Sequence, residues 1–315
     1  MSPLPAWLHT PPPTLGLQID TQRVTAVLVD RTAATPVVRG MATAPIPASA
    51  LVPSLTAVNV VERDVVVAAV RSVIEQIGGR QRRVALVIPD TAAKVSLLPF
   101  EQVPSHARDL EQLVRLQLRK TVPFPVDDAQ LAWSRGPARG TAATVVVAAM
   151  RRDIVREYEA VCAAAGLHAG TVDLATFNVV NLALLGRGAT AGDALLVYVT
   201  PGYASVAVVR DDELIFFRTR PADAAEPVPD VVHQTRMFYE DRLHGTGFAR
   251  ALLVAGPDVG DRDGLARELQ ARLDTQMEAL DLSGVASFSE RVAASDALVG
   301  QIAAPTGLVL REVAV

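Results

Sequence analysis

The sequence predicts an α/β protein built as two similar halves with a cleft between them. Three observations carry that expectation. Strand-like and helix-like runs alternate along most of the chain. One β-hairpin pattern occurs twice, about 180 residues apart. Half of the 315 residues are apolar, enough to bury a large core divided over about two domains.

The elements follow in order. Residues 1–13, with Pro3, Pro5 and Pro11 to Pro13, have neither the basic nor the apolar stretch of a signal peptide and read as a disordered leader. Residues 14–19 and 23–29 alternate in polarity around a polar turn, a hairpin signal, and 35–46 form a third extended run. Residues 59–77 place Val60, Val67, Val70, Val73, Ile74 and Ile77 at helical spacing and stop at Gly78-Gly79, a glycine C-terminus. A strand at 83–88, broken by Pro89-Asp90, is followed by a second at 93–98. The helix at 105–122 has Leu110, Leu113, Val114, Leu118 and Val122 on one face and ends at Pro123-Phe124-Pro125. Strands at 129–134 and 143–150 and a helix at 153–165 complete a ββαββα unit the size of one inserted subdomain. After a strand at 169–172, a helix at 176–185 and a Gly-rich hinge at 186–192, three strands (194–199, 205–210, 214–219) form a meander whose first two strands repeat the opening hairpin. A helix at 230–243, a strand at 251–255, a helix at 265–276, a strand at 277–282 and a helix at 295–310 close the second half.

Composition excludes several functions. The net charge of −4 supplies no cationic field for nucleic acid or an anionic membrane. Lys94 and Lys120 are the only lysines, and neither lies in a Gly-rich loop, so no P-loop exists. Cys162 is the only cysteine, which excludes an internal disulfide, suits a reducing cytosol, and, inside a helix, reads as a buried structural thiol. The five histidines (His9, His106, His168, His233, His244) lack the spacing of metal ligands. The acidic pairs Asp127-Asp128 and Asp211-Asp212 read as turn residues. No apolar run reaches the 18 or so residues that span a bilayer. No catalytic residue and no metal site are expected.

The order of elements resembles the actin-like ATPase superfamily, of ribonuclease H-like fold, and within it the PilM family of type IV pilus assembly proteins, related to FtsA. The residues that carry the resemblance are Val84-Ala-Leu-Val-Ile-Pro-Asp90 with 95–99, the run from Leu113 through Pro123-Phe124-Pro125 to Val126, 145–158, Ala165-Gly-Leu167 with Val172-Asp-Leu174, 233–239 and 304–311. They cover about 14–311. The resemblance implies subdomain 1A at 14–80 and 169–190, a ββαββα 1C insert at 81–168, subdomain 2A at 191–300, and a C-terminal segment, 301–315, packed on 1A. Only residues 220–229 stand where subdomain 2B would be, so 2B is expected to be reduced or absent.

The resemblance also locates a nucleotide site, and this chain departs from it. Gln18, Asp20, Thr21 and Arg23 stand at the first phosphate loop, where the family has Asp-Ile-Gly. Tyr198, Thr200 and Gly202 stand at the second, with Pro201 lacking an N–H. Gly256, followed by Pro257, stands in the adenosine loop, and Gly307 is assigned to the same degenerate site. A carboxylate at Asp20 would face phosphate oxygens, and two like charges near 4 Å repel by about 4 kcal/mol at an effective dielectric of 20. The expectation is a pseudo-ATPase without cofactor, the alternative being weak ATP and magnesium binding with slow turnover in which Arg23 replaces lost phosphate contacts. The implied role is a cytoplasmic scaffold, peripheral to the inner membrane, that binds the N-terminal tail of a PilN-like bitopic membrane protein. Pilus motor or platform proteins and a second copy of the chain are further implied contacts, and a GspL-like module of type II secretion is a second alternative. The tail is expected in a groove between the first half and the insert, lined by Val95, Leu97, Leu116, Gln117, Lys120, Val122 and Phe124.

Overall fold

The computed structural model describes residues 13–33, 35–78, 81–137, 140–186, 192–289, 292 and 295–311. The leader up to residue 12, Gly79, most of the Gly-rich hinge (187–191) and residues 312–315 lie outside them.

Each half is a meander continued by parallel strands. In the first half, β1 (Leu15–Asp20), β2 (Arg23–Asp30) and β3 (Val37–Pro45) pair antiparallel, and β4 (Arg83–Ile88) and β8 (His168–Leu174) extend the sheet parallel to β1. In the second half, β9 (Ala194–Val199), β10 (Tyr203–Arg210) and β11 (Glu213–Pro221) form the meander, extended by β12 (Arg250–Ala255) and β13 (Met277–Ala279). The orders β3-β2-β1-β4-β8 and β11-β10-β9-β12-β13 correspond strand for strand, so the duplicated hairpin marks a duplicated topology. A two-residue strand, β14 (Ser287–Phe288), is added beside β3. Residues 222–227, between β11 and α5 (Val228–Leu243), hold neither helix nor strand.

The expected ββαββα unit is divided between two layers. Its first strand, β4, is apolar on both faces and fully internal except at Arg83, which suits the interior of a covered parallel sheet. Its last helix, α3 (Arg152–Ala164), turns Ile154, Tyr158, Val161 and Cys162 into the core under α1 (Arg63–Ile77). What remains is a three-stranded sheet, β5 (Lys94–Phe100), β7 (Ala143–Arg151) and β6 (Ala129–Arg135) in that order, with α2 (Ala107–Leu118) on one face. Leu110, Val114 and Leu118 pack there on Phe100, Val145, Val147 and Leu131.

The two halves share one core. The helix α7 (Asp296–Arg311) lies against α4 (Ala175–Leu185), and Ile302, Ala303, Leu308 and Val309 meet Val27 and Val87 of one half and Tyr198, Ala207 and Val254 of the other. Close approach needs glycine: a Cβ on Gly16 would stand 2.5 Å from the Pro305 carbonyl oxygen, and one on Gly307 would collide with the Asn178 carbonyl. Gly307 is therefore a packing residue of the seam between α7 and α4, correcting its assignment to a nucleotide site.

Candidate functional site

Seven of the residues expected at a nucleotide site come together, at the ends of the two hairpins. Gln18 and Asp20 end β1, Thr21 forms its turn and Arg23 opens β2; Tyr198 ends β9, Thr200 and Gly202 form the matching turn. Gly256 joins them from the loop after β12, facing Gln301 of α7. The halves touch directly here. The Gln18 Nε2 donates to the Tyr198 hydroxyl at 3.1 Å, Arg23 pairs with Asp258 at 2.5 Å, and the Thr21 side chain occupies the space a Cβ on Gly202 would need. The cavity left between them is about 40 Å³, whereas sites for drug-sized ligands run from roughly 300 to 1,000 Å³.

The turn amides are held by their own side chains. The Thr21 N–H donates to the Asp20 carboxylate at 2.7 Å, and the Gly202 and Tyr203 N–H groups each donate to the Thr200 hydroxyl at 3.2 Å. Backbone donors that would cradle a phosphate are thus turned inward. Burial pushes the Asp20 carboxyl up to about 6, against the Thr21 N–H bond that lowers it, and the charges of Asp90 and Asp258 push the same way. Gln18 Oε1, Arg23 Nε and Gln301 Nε2 have no partner among the described residues. Among these residues, no group of three acidic, histidine or cysteine side chains could hold a metal ion. With the halves placed as they are, the space between the hairpins is far smaller than a nucleotide would fill.

Sequence reasoning passed over Asp90, treating it as part of a strand break. The residue is fully buried behind the cleft and ties the halves together: its carboxylate accepts the Ser205 hydroxyl of β10 at 2.7 Å, and the Thr176 N–H of α4 at 3.0 Å together with the Thr176 hydroxyl. Burial holds its carboxyl up at about 6 despite these bonds. The signal was available: an acid at the C-terminal end of a parallel strand sits where α/β sheets gather their polar sites.

The residues expected to bind a partner do not form one surface. Val95 and Leu97 pair with Ala148 and Val146, while Leu98 pairs with Val145. The period of two therefore puts Val95 and Leu97 on the face of the small sheet opposite α2. Leu116, Gln117 and Lys120 are exposed on α2 and after it; Val122 is buried in the insert core and Phe124 is half-buried beside it. The groove drawn through all seven is corrected by the sheet that divides it.

Val95 and Pro123 do wall a cavity of about 550 Å³ between the first half, the insert and β11, but Leu97, Leu116, Gln117, Lys120, Val122 and Phe124 do not line it. A second space between the first half and the insert lies at another edge. β8 ends the six-stranded sheet, so one side of its backbone is unpaired among the described residues. Beside it opens a cavity of about 430 Å³, walled by Ala132, Ala148 and Met150 of the small sheet, Val155 and Arg156 of α3, and Val172 of β8. No helix among the described residues is long and apolar enough to cross a membrane.

Comparison with known proteins then places the chain. The profile of the family described as type IV pilus assembly protein PilM matches residues 16–242. No curated protein matches the sequence. Among solved structures, a PilM-PilN type IV pilus biogenesis complex superposes with a TM-score of 0.80 at 18% identity, covering 95% of this chain and 98% of the other. The cytoplasmic domain of EpsL, an inner-membrane component of the type II secretion system of Vibrio cholerae, gives 0.50 at 11%, covering 95% and 94%. A Bacteroides thetaiotaomicron protein of actin-like ATPase fold and unknown function gives 0.53 at 9%, covering 93% and 95%. The overall fold is that of its actin-like neighbours, and the chain belongs to the PilM family of type IV pilus assembly proteins.

Proposed function

We propose that this chain is a scaffold at the cytoplasmic face of the inner membrane that takes an extended N-terminal segment of a PilN-like membrane protein and does not turn over ATP. One contrast carries the reading: the cleft between the halves is down to about 40 Å³ and bridged by its own side chains, while the groove beside β8 offers about 430 Å³ and a strand edge unpaired among the described residues. An extended peptide added to such an edge gains main-chain hydrogen bonds and places alternate side chains in the apolar groove. The similar solved complex, in which PilM is paired with PilN, agrees with a partner of that kind.

The test is a pulldown with the N-terminal segment of a PilN-like membrane protein. Ala132 is exposed in the groove, so Ala132→Trp should leave the melting temperature unchanged and abolish capture, whereas Leu116→Glu on α2 should leave capture intact. The opposite pattern would move the site to the exposed strip of α2. Titration calorimetry with ATP and magnesium should give no heat, and low-micromolar binding would restore the ATP-binding reading.

A further inference from the structure

Two arginines in the β8 groove make no ion pair among the described residues. Arg152 and Arg156 stand one turn apart in the first half of α3, both exposed, both lining the cavity, and neither makes a hydrogen bond or ion pair among the described residues. Their neighbours differ. Arg151 is held by Asp153 and the Thr56 carbonyl, and Arg311 is held by Asp173. Asp173, the acid on the β8 wall, is thereby taken, and its other oxygen accepts the Leu174 N–H. Glu159 is the remaining acid on the lining, a turn beyond Arg156. The N-terminal end of α3 adds its own positive field at the position of Arg152.

We propose that the segment recognised by this groove carries a carboxylate that seats against Arg152 and Arg156, so that the partner is an extended peptide of alternating apolar residues with an acidic residue among them. The inference rests on the reading of the groove as a peptide site and adds the partner's chemistry. A guanidinium matches a carboxylate with two parallel hydrogen bonds, and a pair of them one turn apart can hold both oxygens. The apolar walls at Ala132, Met150, Val155 and Val172 take the flanking side chains, and the β8 backbone fixes the register.

Fluorescence anisotropy with synthetic peptides seven residues long, the length of β8, tests it. Val and Thr alternate in each, and the central residue is Glu, Gln or Lys. The Glu peptide should bind about tenfold more tightly than its Gln isostere at low salt, the Lys peptide most weakly, since a charge-assisted bond of about 1.4 kcal/mol gives that ratio. The preference should disappear in the Arg152→Gln/Arg156→Gln protein and shrink between about 50 and about 500 mM NaCl. Equal binding of the three peptides, blocked by Ala132→Trp, would overturn the charge assignment and keep the groove. A Glu preference that survives the double substitution would also overturn it. Failure of all three peptides to bind would overturn the groove reading and this inference with it.

Discussion

Replacing Asp20 with Asn should stabilise the protein at neutral pH and leave it unchanged in acid. The carboxyl is pushed from 3.8 to about 6 by burial. Between those values the folded chain holds a proton that the unfolded chain has released, so stability falls as pH rises through the window and the loss is complete above about 6. The difference between 3.8 and about 6 corresponds to about 3 kcal/mol, an upper bound on what the substitution recovers. The Asn oxygen can still accept the Thr21 N–H, now at 2.7 Å, and the Gln18 amide stays bonded to Tyr198, while the new NH2 replaces the oxygen that accepts Gln18 Nε2 at 3.4 Å, a long bond whose loss trims the gain. Urea unfolding at pH 4 and pH 8 reads the effect. A gain at pH 8 with none at pH 4 is expected. Equal stability at pH 8, or the same gain at both, would refute the idea that an uncompensated carboxylate sits between the hairpins.

Two further outcomes follow from packing and hydrogen bonding. Gly16→Ala should cost about 2–3 kcal/mol in urea unfolding, because its Cβ would stand 2.5 Å from the Pro305 carbonyl oxygen and backbone cannot step aside as a side chain can. Tyr239→Phe should cost about 1–2 kcal/mol by the same measurement, since the buried hydroxyl bonds Asp193 at 2.6 Å and the Gly247 carbonyl oxygen at 2.9 Å.

Local pattern made much of the fold legible. The alternation in Leu15–Asp20 and Arg23–Asp30 specified a hairpin, the matching run at Ala194–Val199 and Tyr203–Arg210 specified its copy, and Asp211-Asp212, at φ of 49° and 65°, form the tight turn their pairing suggested. Burial of Cys162, whose thiol is pushed up to about 12 by loss of water, likewise followed from its place on the apolar side of α3. What stayed hidden depends on partners distant in sequence. The apolar stripe of α3 showed that one face is buried without showing under which sheet, and β4 read as part of the insert because only its pairing with β1, some 70 residues back, reveals its sheet. A glycine is equally mute: Gly307, assigned to the nucleotide site, is a contact between helices. The seven expected partner-site residues come from one strand and from one helix with the segment after it, and the pleat of β5 separates them. The β8 groove had no local signature, since a strand edge exists only once the sheet order is known.

The placement of α7 bears on how the chain reaches its folded state. The residues that seal the two sheets together lie at 296–311, while the strands they seal begin at Leu15. Pairings this far apart form late, because their ordering entropy must be met before they return any energy. During synthesis both sheets can therefore assemble while the apolar floor between them is still bare. A ribosome paused before residue 296 would display Val27, Val87, Ala207 and Val254 to solvent, a target for chaperones and proteases that vanishes when the last helix docks.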